Sequence, residues 1–412
     1  NGRSGMSVTI GSGHEGNVRE QVNAYVSRVK GGEMGALPSV LSLFVLTLLF
    51  SLLNPYFLTQ GNFANLLTQT ATLMMIAMAL VFVILIAEID LSAGVTSGVA
   101  MALFIIMTNR WEIDWRISIL AGLLCGSAIG AFIGFFVARV GVPSFVVTLG
   151  LFLGFQGLQL ALLGDGGIYR IEVPEIRAVM NDNLPGWMGW VFLAIALVLM
   201  VLLSFYDRKV RSRNGLANRP ISLLYTKLAI VAGLGGALVA LLNTNRSTSM
   251  KEISGVPIVV PIAVTILFLG TLLLDRTRFG RHLYAVGGNP EAARRAGIKV
   301  VQIRITAFIL CSTLAVVSGI FNASRVGAVE ATAGKAIVLS GVAAAVVGGV
   351  SLFGGRGRLV HAAVGALVIA IIDNGLGLLG LPAGINFLVT GGVLILAATV
   401  DAVSRKRSSA AR

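Results

Sequence analysis

Residues 64–87 read ANLLTQTATLMMIAMALVFVILIA, twenty-four positions without a charged side chain. A helix that crosses a bilayer needs about 20 consecutive, mostly apolar residues, so this stretch is long enough to span. The same character runs through the chain: 412 residues, 56% hydrophobic, 12% charged and a mean hydropathy of +0.88. Soluble domains carry about 25% charged residues, so the supply of charge to cover a surface is about half the usual one. That excludes a soluble enzyme, a nucleic-acid binder and a disordered tail protein. Apolar runs of this length, without strict alternation, also argue against an outer-membrane barrel.

Apolar runs bounded by Gly, Pro, Asn or charge number twelve: 37–53, 64–87, 91–108, 117–138, 144–163, 187–204, 222–242, 256–274, 301–321, 336–352, 359–379 and 384–400. They predict an all-α polytopic membrane protein with about twelve spans. The second and third runs are separated by only a few residues, and Gly and Pro interrupt the last pair. A re-entrant or broken helix is therefore an open alternative at both places. Residues 1–36 are rich in Gly, Ser and charge and read as a partly disordered cytoplasmic tail, with Met6 a candidate start. The first run lies too far in and lacks the small-residue cleavage site of a signal peptide, so it reads as a retained helix. Residues 37–400 form the membrane domain and 401–412 a basic cytoplasmic tail.

The formal charge of +14 tests that count. Basic residues collect in cytoplasmic loops. With both termini inside, four of the five inner gaps hold large basic clusters: Arg139; Arg208 to Arg219; Arg276 to Lys299; and Arg356 with Arg358. The tail adds Arg405, Lys406, Arg407 and Arg412, whereas the outer gap 164–186 has a net charge of minus two. The agreement is incomplete, because Arg110, Arg116, Arg246, Lys251, Arg325 and Lys335 fall in outer gaps. Cys125 and Cys311 sit singly in apolar runs and His14, His282 and His361 are scattered, so neither a disulfide nor a metal site is implied.

Fifty glycines are a second signal. Small residues let membrane helices approach closely, and Gly233 to Gly236, Gly341 to Gly349 and Gly375 to Gly380 supply such faces. A weak internal echo relates Ile89-Asp90-Leu91 before Gly94 to Val350-Ser351-Leu352 before Gly354-Gly355.

The most specific segment is the loop 275–300. Its second half is a two-turn helix specified at both ends: Asn289 caps it, Pro290 opens it, Glu291 suits its positive end, and Gly297 can close it in the left-handed conformation. A lone helix of two turns is unstable in water, so it needs a partner surface. Ala292, Ala293 and Ala296 offer close approach, and Glu291, Arg294 and Arg295 offer charge.

Glu291-Ala292-Ala293 followed by Gly297 resembles the EAA loop of ABC importer permeases. The string Phe279-Gly280-Arg281, Tyr284-Ala285-Val286-Gly287-Gly288-Asn289 and Ala296-Gly297-Ile298 resembles the monosaccharide branch of that family, which handles ribose, galactose, arabinose and xylose. Ile86 to Gly94, Gly141 to Gly150 and Gly348 to Gly357 resemble further signatures of the branch. Within it, Glu88 in its AEIDLS context, Asp373-Asn374-Gly375 and the extra pair of spans near 187–242 are most similar to the xylose permease subunit. The resemblance implies a ten-helix core with two helices inserted, in a bacterial cytoplasmic membrane. It implies a homodimer that receives sugar from an extracytoplasmic binding protein, with Asn289, Glu291, Ala292, Ala293, Arg294 and Gly297 coupling to a cytoplasmic ATPase. No cofactor is expected on this chain and ATP is used by the partner. In agreement, the Gly334-Lys335 pair lacks the other residues of a phosphate-cradling loop.

Polar groups within the membrane are candidates for a translocation path, because a carboxylate at the bilayer centre costs about 2.5–3.5 kcal/mol and is usually placed in a wet cavity or beside a partner. Glu88, Asp90 and Ser92 either line the route or form a capping turn at the cytoplasmic interface. Asp373 and Asn374 either face the route or make an interhelical hydrogen bond. Gln156 and Gln159, about one turn apart, complete the set. Two other functions stay open: a permease for another solute such as branched-chain amino acids, and a proton-coupled secondary sugar transporter. The chain itself performs no covalent chemistry on any of these readings.

Overall fold

The computed structural model describes residues 37–164, 166–216, 218, 220–247 and 252–410, so the expected N-terminal tail lies outside the described residues. Each of the twelve apolar runs contains a helix. In order these are α1 (Leu37–Leu53), α2 (Gln60–Ile84), α3 (Ala93–Ile105), α4 (Trp115–Phe135) and α5 (Ser144–Leu163), then α6 (Pro174–Asn181), α7 (Gly186–Arg213), α8 (Ile221–Leu242) and α9 (Val259–Arg276). There follow α10 (Arg278–Gly288), α11 (Pro290–Arg295), α12 (Val300–Val326), α13 (Ile337–Val347), α14 (Leu359–Leu378) and α15 (Ala383–Ala410). Among the described residues nine helices are long and apolar enough to cross a membrane, and the apolar stretches Pro38–Leu53, Ile337–Val347 and Ala383–Thr399 are shorter.

The core is centred on α2. From Met75 to Leu85 its side chains are almost wholly inaccessible, because α12, α13 and α14 pack around it on several sides. The α4–α12 contact is made close by a stripe at fourfold spacing, Gly122, Gly126, Gly130 and Gly134. A Cβ on Gly130 would lie 2.4 Å from the Phe308 carbonyl oxygen, and one on Gly134 would lie 2.7 Å from the Ile305 Cα. These glycines replace side-chain packing by backbone contact, the usual means of joining helices where water supplies no hydrophobic force.

At one end of the bundle, β1 (Ile168–Arg170) pairs antiparallel with β2 (Ala328–Glu330), and α6 is tied to the end of α12. There the Ser324 hydroxyl donates to the Ile176 carbonyl at 2.6 Å. The helices α7 and α8 form a peripheral hairpin that packs mainly on itself. Its base is closed by the bridge between Asn183 and Pro257. The break foreseen between the second and third runs is real. The α-helix ends at Ile84, Ala87 takes a positive φ of 60°, and α3 begins only at Ala93.

Candidate functional site

The loop 275–300 folds as two helices, the first of which was not anticipated from sequence. Thr277 caps α10, its hydroxyl accepting from the Gly280 N–H at 3.2 Å. Gly280, Leu283, Val286 and Gly287 then face inward, while Arg278 and Arg281 stay exposed. The spacing of that buried set is the helical one, so the signal was present but masked by the glycines. Beyond it Asn289 Oδ1 accepts from the Ala292 N–H at 3.0 Å, Pro290 opens α11, and Gly297 turns the chain at φ 81°. Ala293 is buried, whereas Glu291, Ala292, Arg294 and Arg295 are exposed. Glu291 pairs with Arg294 and, at 3.6 Å, with Arg295. Exposed pairs of this kind contribute at most about 1 kcal/mol, so the helix is held by its caps and by Ala293.

The inner face of α10 meets the α2–α3 break. Because α2 stops at Ile84, the Leu85 carbonyl is free to accept from the Gly355 N–H at 2.8 Å. Gly287 lies so close that a Cβ there would sit 1.7 Å from the same carbonyl oxygen. Gly354, at φ 77°, brings the 348–357 turn against both: a Cβ on it would be 2.9 Å from the Ala87 nitrogen and from the Gly287 oxygen. The Tyr284 hydroxyl donates to the Gly357 carbonyl at 2.7 Å. Burial, with the negative Asp275 nearby, pushes its pKa up to about 12, so it remains a donor at neutral pH. Three segments distant in sequence, 85–88, 284–288 and 354–357, thus join through backbone atoms.

The membrane candidates separate into three groups. Glu88 is half-buried and its carboxylate lies 3.6 Å from Arg304 of α12. Asp90 and Ser92 are fully buried, and Asp90 Oδ1 accepts from the Ser92 N–H at 2.9 Å and from its hydroxyl at 2.6 Å. The other carboxylate oxygen faces Cys311 Sγ at 3.7 Å. The capping position of α3 is held by Ser92 and not by Asp90, because Asp90 folds its carboxylate over the turn that precedes the helix.

On α5, Gln159 is buried and its amide donates to the Val95 carbonyl at 3.0 Å, while Gln156 is half-buried and takes no part in that bond. Gln159 Oε1 and Thr96 Oγ1 are buried without a partner. Near the far end of α14, Asn374 and Asn62 exchange two amide hydrogen bonds of 2.8 Å each. Asn62 carried no sequence signal, since one Asn at a helix start reads as a cap. Asp373 is half-buried and feels the positive charge of Arg325 of α12. No group of three metal-ligating side chains occurs among the described residues.

The outcome of this geometry is a bundle of apolar helices in which the α10–α11 pair is clasped to the α2–α3 break. Residues 62–398 match the family described as branched-chain amino acid transport system / permease component. The chain belongs to that permease family. Among relatives of this permease, the xylose transport system permease protein of Haemophilus influenzae is 33% identical over 351 residues, 85% of this chain and 91% of the relative. The ribose import permease protein of Escherichia coli strain K12 is 30% identical over 367 residues, 88% and 92% of the two chains. That of Bacillus subtilis is 31% identical over 394 residues, 95% and 99%. No solved structure matches the permease. By these relatives it is similar to the sugar permeases of ABC importers, and by its apolar helices it is a multi-pass membrane protein, a transport component.

Proposed function

We propose that the chain is the membrane-spanning subunit of a bacterial ABC importer that carries a monosaccharide, xylose or a similar sugar, across the cytoplasmic membrane. Twelve helices cross the bilayer, with both termini and the 275–300 loop inside. Two copies surround a central path, an extracytoplasmic binding protein delivers sugar, and a separate ATPase receives α11 in a groove. The observation that carries this reading is the two-sided character of the α10–α11 pair. One face is locked to the α2–α3 break through Gly287, and the other leaves Glu291, Ala292 and Arg295 open to a partner.

A rigid hold on the inner side is what a lever needs. ATP closes the ATPase pair, α11 moves with it, and the Leu85–Gly287–Gly354 contact passes the displacement to the α2–α3 break, where Glu88 and Asp90 lie. Glu88, Asp90, Ser92, Gln156, Gln159, Asp373 and Asn374 are the polar groups available to a sugar in the membrane. Of these Glu88, Gln156 and Asp373 are only half-buried in the single chain, which suits a path completed by a second copy.

The test is uptake in proteoliposomes with the partner ATPase and binding protein. Glu291→Lys and Gly297→Val should leave ATP hydrolysis within about threefold of wild type while sugar uptake falls at least tenfold. Uptake that follows a proton gradient without an ATPase would overturn the reading, and leucine uptake in place of xylose would change the substrate class.

A further inference from the structure

Beside the coupling helix lies a cavity of about 540 Å³ whose charged lining is all basic: Arg139, Arg294, Lys299 and Arg304. No carboxylate lines it. Glu88 and Glu291, the nearest acids in contact with these groups, are engaged with Arg304 and with Arg294 and Arg295. Arg139 and Lys299 have no ion-pair partner among the described residues, so two cations are left uncompensated at the mouth. Lys299 gives α12 no side-chain cap, and Val301 and Gln302 of its first turn line the same cavity. The free amides and the positive end of a 27-residue helix therefore add to the cationic field. This combination selects a phosphate-type anion.

The cavity is distinct from the Ala292 and Arg295 face of α11, although Arg294, which the resemblance counts among the coupling residues, lines it. Successive residues of a helix point about 100° apart, so Pro290 and Arg294, one turn from each other, share the cavity face; Ala292 and Arg295 point elsewhere, and Glu291 stays outside the lining while its carboxylate pairs with Arg294. It opens where two spanning segments meet the loop, the π-turn Phe136–Val140 after α4 and the start of α12. Phe132, Phe135 and Val140 of the same α4 segment are about half exposed, so apolar surface adjoins the cationic cavity.

We propose that this cavity binds the phosphate headgroup of an anionic phospholipid of the cytoplasmic leaflet, its acyl chains lying along α4. The proposal rests on the cytoplasmic placement of the 275–300 loop proposed above. A headgroup here would bridge the ends of α4 and α12 behind the coupling helix and make transport sensitive to lipid charge.

The experiment uses the full chain in phosphatidylcholine nanodiscs doped with phosphatidylglycerol, with bound lipid read by native mass spectrometry and its affinity by titration. The double variant Arg139→Gln/Lys299→Gln should bind phosphatidylglycerol at least tenfold more weakly. The charge-matched control Arg278→Gln/Arg281→Gln, on exposed α10 positions outside the cavity, should stay within twofold. If the double variant fails to fold, Lys299→Gln alone carries the comparison with an expected loss of about threefold. Inorganic phosphate that binds in pure phosphatidylcholine with the same dependence on Arg139 and Lys299 would keep the phosphate site and overturn its lipid source. Equal lipid binding by variant and control would overturn the proposal, as would a dependence on these residues seen only when the ATPase is added, which would mark an acidic protein surface as the occupant. Ala292→Trp, on the exposed face of α11 outside the cavity lining, separates the two readings, since it should lower uptake at least tenfold and leave phosphatidylglycerol binding within twofold.

Discussion

Gly287 and Gly288 stand side by side at the end of α10 and meet opposite surroundings. A methyl group on Gly287 would overlap the Leu85 carbonyl oxygen, whereas one on Gly288 has nothing within 4 Å. Overpacking of a close contact costs about 1–3 kcal/mol, so Gly287→Ala should force α10 off the α2–α3 break while Gly288→Ala leaves it in place. The expected outcome is at least a tenfold loss of uptake for Gly287→Ala, with ATPase assembly retained, and less than a twofold change for Gly288→Ala, measured on the same vesicles. A second residue-scale prediction concerns Asn62 and Asn374. Asn62→Leu leaves the Asn374 amide buried without its partner and should lower stability by about 1–2 kcal/mol. Asn62→Leu/Asn374→Leu should be less damaging than the sum of the two single changes, as read from unfolding in mixed micelles, because neither side then strands a polar group.

At the scale of elements, the caps and the apolar runs were legible. The run 144–163 coincides with α5, and the caps foreseen at Asn289 and Gly297 are the ones observed. Helix ends of this kind depend on atoms within four residues. Less legible was α10, whose inward face is half glycine and so lacks the apolar stripe that marks a helix. The α7–α8 hairpin was expected as an inserted pair, and it behaves as an appendage. Leu184 N–H donates to the Val256 carbonyl at 2.8 Å, which brings the two ends of the insertion together at its base. Replacing residues 186–253 by a short Gly-Ser linker should leave the remaining helices assembled. The cost is the small cluster of Val239, Leu242 and Val256 against Leu67 and Val260, and Tm should fall by only about 2–4 °C for each kcal/mol of packing lost. Loss of a cooperative melting transition in detergent would show that the hairpin is part of the core.

For the whole molecule, the arrangement of charge predicts which side each loop faces. In a background with Cys125→Ser and Cys311→Ala, a cysteine at Arg278 should react with a membrane-impermeant maleimide only after the cell membrane is opened. One at Glu172 should react in intact cells. The reverse pattern would invert the topology and with it the placement of α11. The sequence by itself determined the class of this protein, the position of its apolar helices and the capped helix α11, because apolar period, caps and charge bias are written in neighbouring residues. The tertiary structure alone decided that Leu85, Gly287 and Gly354 share one contact, that Glu88 pairs with Arg304, and that Asn374 pairs with Asn62. Those partners lie between 67 and 312 residues apart, and such meetings depend on how whole helices cross and on where a glycine lets backbones touch, which no local pattern records.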